Sequence, residues 1–430
     1  MKRSLAALLG VALTVPLALS GCSGDDEDSA SGPITLSLAG WSFATTPEFK
    51  TLADGFHATH PDVTVELKEY DAANYDTQMI ADLAAGKAPD IYAQKTLKNF
   101  YTYQNGKQLL DVSDVAQGLG GKAGGMANYQ TDGKTYAIPY RQDSWVLYYN
   151  RTLFDKAGVK TPDGTWTWDD YAAASKELAT KLKADKAFGD YEHIWQSTVQ
   201  GFALAQTQGA SIEKGDFSYL KPYYDRVVDL QNAGAQVKFG DATTNNLTYQ
   251  AQFGKQQAAM MLMGSWFMAT LLTQQANGDA DKFDWGIAPA PQLTKATARP
   301  SGTPVTFGDP TGLGINPKIG KSKVATAKAF LAYAAGADGA KALAGIGITP
   351  ADTDAVKDSF FQLPGVPQDA LSKWTFATHD TKPENPVGKY TAALQNILGD
   401  LHTAVMSGSK PVDAAITEAQ DRAKNEVLNK

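Results

Sequence analysis

The chain has one cysteine in 430 residues, Cys22, and that scarcity excludes a good deal. A single copy can form no disulfide, and the body keeps no thiol for a nucleophile or a cysteine-ligated metal. Histidine is scarce too, with five copies. His57 and His60 share a helix face, but no Cys, His or carboxylate set completes a metal site around them, so neither metal nor cofactor is expected. No Gly-x-Ser-x-Gly elbow occurs. The stretch from Gly314 to Lys321 and Ser322 approaches a phosphate-cradling loop. Its spacing is one residue too long, however, and Pro317 removes an N–H that the cradle needs. Basic residues number 39 against 46 acidic ones, for a formal charge of −7. That balance argues against nucleic acid, whose phosphates call for a clustered basic surface. Beyond Leu19 no apolar run approaches the ~20 residues that cross a bilayer.

What is present begins at the N-terminus. Lys2 and Arg3 precede an apolar run from Leu5 to Leu19, interrupted only by Gly10, Thr14, Pro16 and similar residues. Such a segment reads as an export signal. It ends in Leu17-Ala18-Leu19-Ser20-Gly21-Cys22, which resembles a bacterial lipobox. Residues 1–21 are therefore expected to be removed, and Cys22 to be acylated and anchored to the outer face of the cell membrane. Residues 22–32 carry Asp25, Asp26, Glu27 and Asp28 and no apolar side chain larger than alanine beyond Cys22, so they read as a flexible acidic tether.

The body is long enough for two packed domains. Ile34, Leu36 and Leu38 alternate as a half-buried strand does. Thr46-Pro47-Glu48 opens a helix with Phe49, Leu52 and Phe56 on one face, and Val63, Val65 and Leu67 alternate again. Tyr75, Met79 and Leu83 mark a helix closed by Gly86, and Ile91-Tyr92 restarts the sheet. Strands alternating with helices imply a mostly parallel sheet covered on both faces. A strand is expected over 138–149, a helix after the Thr167-Trp168-Asp169-Asp170 cap, a strand at 285–291, and helices over 323–344 and 387–427.

Several ordered segments resemble the sugar-binding, maltodextrin-binding-like family of extracellular solute-binding proteins that serve bacterial ABC importers. They include Ala85-Gly86-Lys87-Ala88-Pro89-Asp90-Ile91, and Asp132-Gly133-Lys134-Thr135-Tyr136-Ala137-Ile138-Pro139-Tyr140 followed by Trp145 to Asn150. Leu153 to Gly158, Ala258-Ala259-Met260, Gly264-Ser265-Trp266 and Pro411 to Ala415 complete the set. The resemblance implies an α/β fold of two lobes, type II-like, with doubly wound sheets joined by a multi-strand hinge. Lobe one is expected at 33–140 with 292–348, and lobe two at 141–291 with 349–430. The hinge crossings then fall near Tyr140, Pro291 and Thr349-Pro350. A sugar would lie between the lobes and pass to permease subunits, with the binding protein a monomer and not an enzyme.

Candidate ligand residues follow from position and from the resemblance. Aromatic residues are 10% of the chain, and sugar rings stack their C–H faces on such planes. Trp41 follows the first strand, in a loop setting between Gly40 and Ser42, with core packing as the rival reading. Gln94 and Lys95 follow the third strand, where the family places groups that bond hydroxyls. Arg141, Gln142 and Asp143 sit at the hinge. Arg141 and Asp143 suit a vicinal diol, or else pair with each other and stiffen the crossing. Trp266 occupies the family's ring-stacking position, and Gly264 allows close backbone approach. Trp195 lies in an apolar run where core packing competes. Asp309 follows Phe307-Gly308, where the family usually has a glycine pair, and offers a hydroxyl acceptor. Trp374 is a further cleft candidate. Two other classes stay open on these residues: a secreted glycoside hydrolase with two working carboxylates, and a solute sensor of the same fold.

Overall fold

The computed structural model describes residues 32–300, 302–357 and 359–430. The expected signal sequence, Cys22 and the acidic stretch through Ser31 lie outside the described residues. Among the described residues no helix is long and apolar enough to cross a membrane.

Among the described residues thirteen strands appear in chain order: β1 (Ile34–Trp41), β2 (Val63–Tyr70), β3 (Ile91–Gln94), β4 (Gln130–Thr131), β5 (Lys134–Thr135), β6 (Ile138–Gln142), β7 (Trp145–Asn150), β8 (Phe188–Tyr191), β9 (Ala258–Gly264), β10 (Trp285–Pro289), β11 (Val305–Phe307), β12 (Pro310–Ile315) and β13 (Asp380–Lys382). The first sheet has the order β2-β1-β3-β12-β6 and the second β10-β7-β9-β8; β11 pairs with β13, and β4 with β5. In the first sheet β1 runs parallel to both β2 and β3. Strand β12 is antiparallel to β3 and to β6. The second sheet is antiparallel except where β8 meets β9. Both sheets are thus mixed rather than mostly parallel. The cause is the chain's route: β12 enters the first sheet only after the whole second sheet is built, so it arrives from the opposite end.

Each sheet has its own core. Leu36, Leu38, Phe49, Phe56, Ile91, Phe330 and Leu331 belong to the first. Leu147, Phe154, Leu178, Phe202, Met260, Met261 and Leu394 belong to the second. The helix Glu48–Thr59 turns Phe49, Leu52 and Phe56 onto the first sheet, as the spacing predicts. Gly86 ends the helix Tyr75–Ala85 in the left-handed conformation at φ 70°, which glycine adopts without strain. Thr167 and Asp170 form a reciprocal capping box on the helix Trp168–Lys181.

The crossings between the sheets differ from those expected. The single strand expected over 138–149 is two strands in two sheets, split at Asp143-Ser144. The second crossing lies near Gly308-Asp309, not at Pro291. Residues 292–300 and 302–307 stay with the second core: Val305 N–H donates to Gln292 Oε1 at 2.8 Å, Thr306 Oγ1 donates to Trp145 O at 2.6 Å, and Phe307 stacks on Trp145 at 4.9 Å. A glycine at 308 is needed because a Cβ there would lie 2.1 Å from Asp143 O. The third crossing follows Ala351, whose N–H donates to Tyr140 O at 2.9 Å, and precedes Val356 in the second core.

Candidate functional site

The strand ends where the two sheets meet carry most of the expected residues. Arg141, near the end of β6, is buried and surrounded by acceptors. Its Nη1 pairs with Glu48 Oε2 at 2.5 Å, its Nε with Asp143 Oδ2 at 2.8 Å, and its Nη2 donates to Thr311 Oγ1 at 3.2 Å. Tyr140 OH donates to Glu48 Oε1 at 3.0 Å, and Ser265 Oγ donates to Asp143 Oδ1 at 2.8 Å. Burial pushes the Glu48 and Asp143 carboxyls up, and Arg141 pulls both back. Burial by itself lowers the guanidinium, but Asp143 and Glu48 outweigh it and hold it charged. Arg141 and Asp143 therefore face each other as a buried ion pair, and among the described residues Arg141 Nε makes no well-aligned hydrogen bond. Gln142 is half-buried, with its Nε2 donating to Asp143 O at 3.2 Å.

An aromatic wall rises on the second-sheet side. Trp266 follows β9, is half-buried, and packs against both cores. Its ring lies over Gly264, where a Cβ would come within 1.8 Å of the indole. The glycine therefore makes room for the tryptophan two residues later. Trp145 meets the ring edge-on at 5.5 Å, and Trp266 Nε1 donates to Tyr249 OH at 3.3 Å. Tyr249 in turn touches Trp195 at 5.6 Å and His193 at 5.2 Å between ring centroids. Trp195 follows β8, is 40% exposed, and packs edge-on to His193 at 4.5 Å. Burial lowers the His193 pKa to about 4, so its ring is neutral at pH 7.

Tyr249 and His193 were not anticipated. Tyr249 sits just after Thr248, whose side chain caps a short helix by accepting from Ala251 N–H. An aromatic residue directly behind a threonine cap is the one local signal, and it is weak.

The first-sheet side contributes Trp41, Gln94 and Lys95. Trp41 is buried edge-on against Phe49 at 5.2 Å and Tyr75 at 5.1 Å. Lys95 Nζ stands 5.2 Å above its ring and donates to Ala72 O. Burial lowers the Lys95 pKa, against the pull of Asp76. Gln94 is fully buried, and neither polar atom of its side chain has a protein partner among the described residues.

Two candidates fall elsewhere. Trp374, in the helix Ala370–Ala377, stacks under the Arg299 guanidinium at 5.3 Å, on a helix that packs against the edge strand β10. Asp309 is buried with four N–H donors on its carboxylate. Four donors fill the acceptor sites of a carboxylate, so it holds protein segments together instead of offering a free acceptor. Among the described residues no group of three or more His, Cys, Asp or Glu side chains could hold a metal ion.

Two cores, two mixed sheets and three crossings define a two-lobe, type II-like periplasmic-binding fold. A sugar transporter from Rhizobium etli, solved in an open conformation, superposes with a TM-score of 0.75 at 28% identity, covering 91% of this chain and 99% of that one. The GacH receptor of Streptomyces glaucescens, solved unliganded and with acarbose, gives a TM-score of 0.72 at 20% identity over 92% and 98% of the two chains. Among curated relatives, the arabinooligosaccharide-binding protein of Bacillus subtilis is 24% identical over 79% of this chain and 77% of its own. A putative binding protein of Brucella abortus is 23% identical, and the match spans 66% of its length. The model of the bacterial extracellular solute-binding proteins matches residues 42–341, and the chain belongs to that family.

Proposed function

We propose that this chain captures a sugar between its lobes and delivers it to the permease subunits of an ABC importer, anchored outside the cell by a lipid on Cys22. The observation that carries this reading is Trp266, an indole held by Trp145 and Tyr249 where both cores meet. A ring fixed in that position offers a flat apolar face, and Trp195 extends the aromatic surface outward. Two carboxyls face the one guanidinium of Arg141, so no excess positive charge is left there, which suits an uncharged solute better than a phosphate or carboxylate. Relatives named for arabinooligosaccharides and for melibiose, raffinose and stachyose support the same reading. The lobes pivot on the crossings at 143–144, 308–309 and 352–355. A sugar that contacts both lobes only when they close shifts the population toward the closed form.

A thermal-shift screen against mono-, di- and oligosaccharides tests this. A solute at ~100 times its Kd stabilises the native state by about 2.7 kcal/mol. The expected result is a clear rise in melting temperature with at least one sugar, lost in Trp266→Ala, with the sugar recovered intact. A panel without any shift removes the sugar reading, and cleaved product would point to hydrolysis.

A further inference from the structure

A second link between the sheets is built around two carboxyl groups, those of Asp309 and Glu384. Asp309 lies between β11 and β12. Its Oδ2 accepts from Leu97 N–H at 3.0 Å and from Asn385 Nδ2 at 2.6 Å. Its Oδ1 accepts from the Glu384 and Asn385 N–H groups at 2.9 Å and 3.2 Å. Leu97 belongs to the first core. Glu384 and Asn385 lead into the helix Thr391–Met406, whose Leu394, Ile397 and Leu398 belong to the second. The Glu384 side chain accepts from Ser197 Oγ, at the start of the helix Ser197–Gln206. The link thus runs from the first core through Leu97, Asp309, Glu384 and Ser197 to the second core.

The two carboxyls are not equivalent. Burial raises both, but Asp309 has four N–H donors that favour its ionised form. Among the described residues Glu384 accepts only the Ser197 hydroxyl, and it feels the Asp309 charge. Lys98 faces Glu384 and opposes these effects; it also faces Asp76 and donates to Asn396 Oδ1 at 2.9 Å. Tyr129 faces Asp309 from the first core. The helices Ser197–Gln206 and Thr391–Met406 present Ser197, Gln200, Gln395 and Asn396 on this side, all neutral. Among the described residues Gln200 Oε1 is buried without a donor, and it lines a cavity of about 10 Å³ together with Glu384 and Tyr219, whose hydroxyl burial keeps protonated. A protonated Glu384 supplies a donor for that acceptor, directly or through one water.

We propose that Glu384 carries a proton in the folded protein, and that this proton fastens the connection between the lobes. Ionised Glu384 places a second negative charge beside Asp309, and the link loosens. Burial and Asp309 raise the Glu384 pKa from 4.5 to about 7, so the change falls in the neutral range. The folded value lies above the ordinary one. Forming the link therefore takes up a proton, and the link weakens as pH rises through that interval. The idea does not depend on which solute is bound.

The test is native-state hydrogen exchange at the Leu97, Glu384 and Asn385 amides, corrected for intrinsic rates, from about pH 5.5 to about pH 8.5. Wild-type protection is expected to fall by about thirtyfold, the part of the shift from 4.5 to about 7 that this pH range spans. Glu384→Gln, which stays neutral and can donate, is expected to keep its protection across the range. Wild-type protection that does not change, or a Glu384→Gln variant that still loses it, overturns the proposal. Should that variant fail to fold, carboxyl-carbon NMR of the wild type decides. A resonance assigned to Glu384 that titrates near neutrality supports the proposal, and one that titrates in the ordinary acidic range overturns it; Glu192, which burial also pushes up, is told apart by its own assignment.

Discussion

Replacing Arg141 with methionine probes the crossing most directly. The substitution keeps a long apolar stem but removes the charge that Glu48 and Asp143 share and the bond to Thr311. Two buried carboxyls are then left without their counter-charge, and breaking a buried pair in this way costs about 3–5 kcal/mol. The penalty depends on pH in a fixed direction. Arg141 lowers both carboxyl pKa values against burial, so without it both climb further above the ordinary 4.5 and 3.8. Below those ordinary values the carboxyls are protonated folded and unfolded alike, and their share of the deficit vanishes. As pH rises toward the new folded values, the unfolded chain sheds protons that the folded one keeps, and Arg141→Met loses stability relative to wild type. Urea denaturation at about pH 5 and about pH 8 reads this difference. The expected deficit is several kcal/mol at the higher pH and clearly smaller at the lower. A deficit below about 1 kcal/mol, or one equal at both pH values, would refute the reasoning. Arg141→Lys is expected to recover only part of the loss, since one ammonium cannot serve three acceptors in the guanidinium's fork geometry.

Two further substitutions bear on the wall and the anchor. Gly264→Ala puts a methyl group where the Trp266 ring lies, so the ring must swing out. The expected cost is about 1–3 kcal/mol, with an altered near-ultraviolet circular dichroism signal and no sugar-induced thermal shift. An unchanged signal would show that the ring is not held there. Cys22→Ala is expected to move the protein from the membrane fraction to the medium, and a variant that still sediments with membranes would remove the lipid anchor.

The opening of the fold was legible because local rules and tertiary structure agree there. The alternation at Ile34, Leu36 and Leu38 became β1, the Thr46-Pro47-Glu48 start became the helix Glu48–Thr59, and Gly86 closed its helix in the left-handed conformation. The stretch from Gly314 to Ser322 is a strand end and a helix start, as its proline required. The crossings were harder. From Ile138 to Asn150 the chain stays extended and buried, and nothing in its periodicity marks that it leaves one sheet for another at Asp143. Strand direction was equally hidden, since β12 pairs with partners distant in sequence. At the candidate site, sequence identified charged groups without revealing their partners. Glu48 lies ninety-three positions from Arg141, and its carboxylate decides what that guanidinium can do. Tyr249 was missed for the same reason: its importance is its contact with Trp195 and Trp266, and contacts of that range leave no local trace.

The indole of Trp266 fills the room vacated at Gly264 and is tied by its nitrogen to Tyr249 before any solute arrives. Freezing a side chain on association costs about 0.5–1.5 kcal/mol, and here that ordering is complete at folding. In the proposed sugar-capturing role, affinity gains but tolerance narrows. A ring that cannot rotate aside accepts only molecules whose faces lie flat against it, so selectivity at this position becomes a matter of rigid shape more than of adaptable contact.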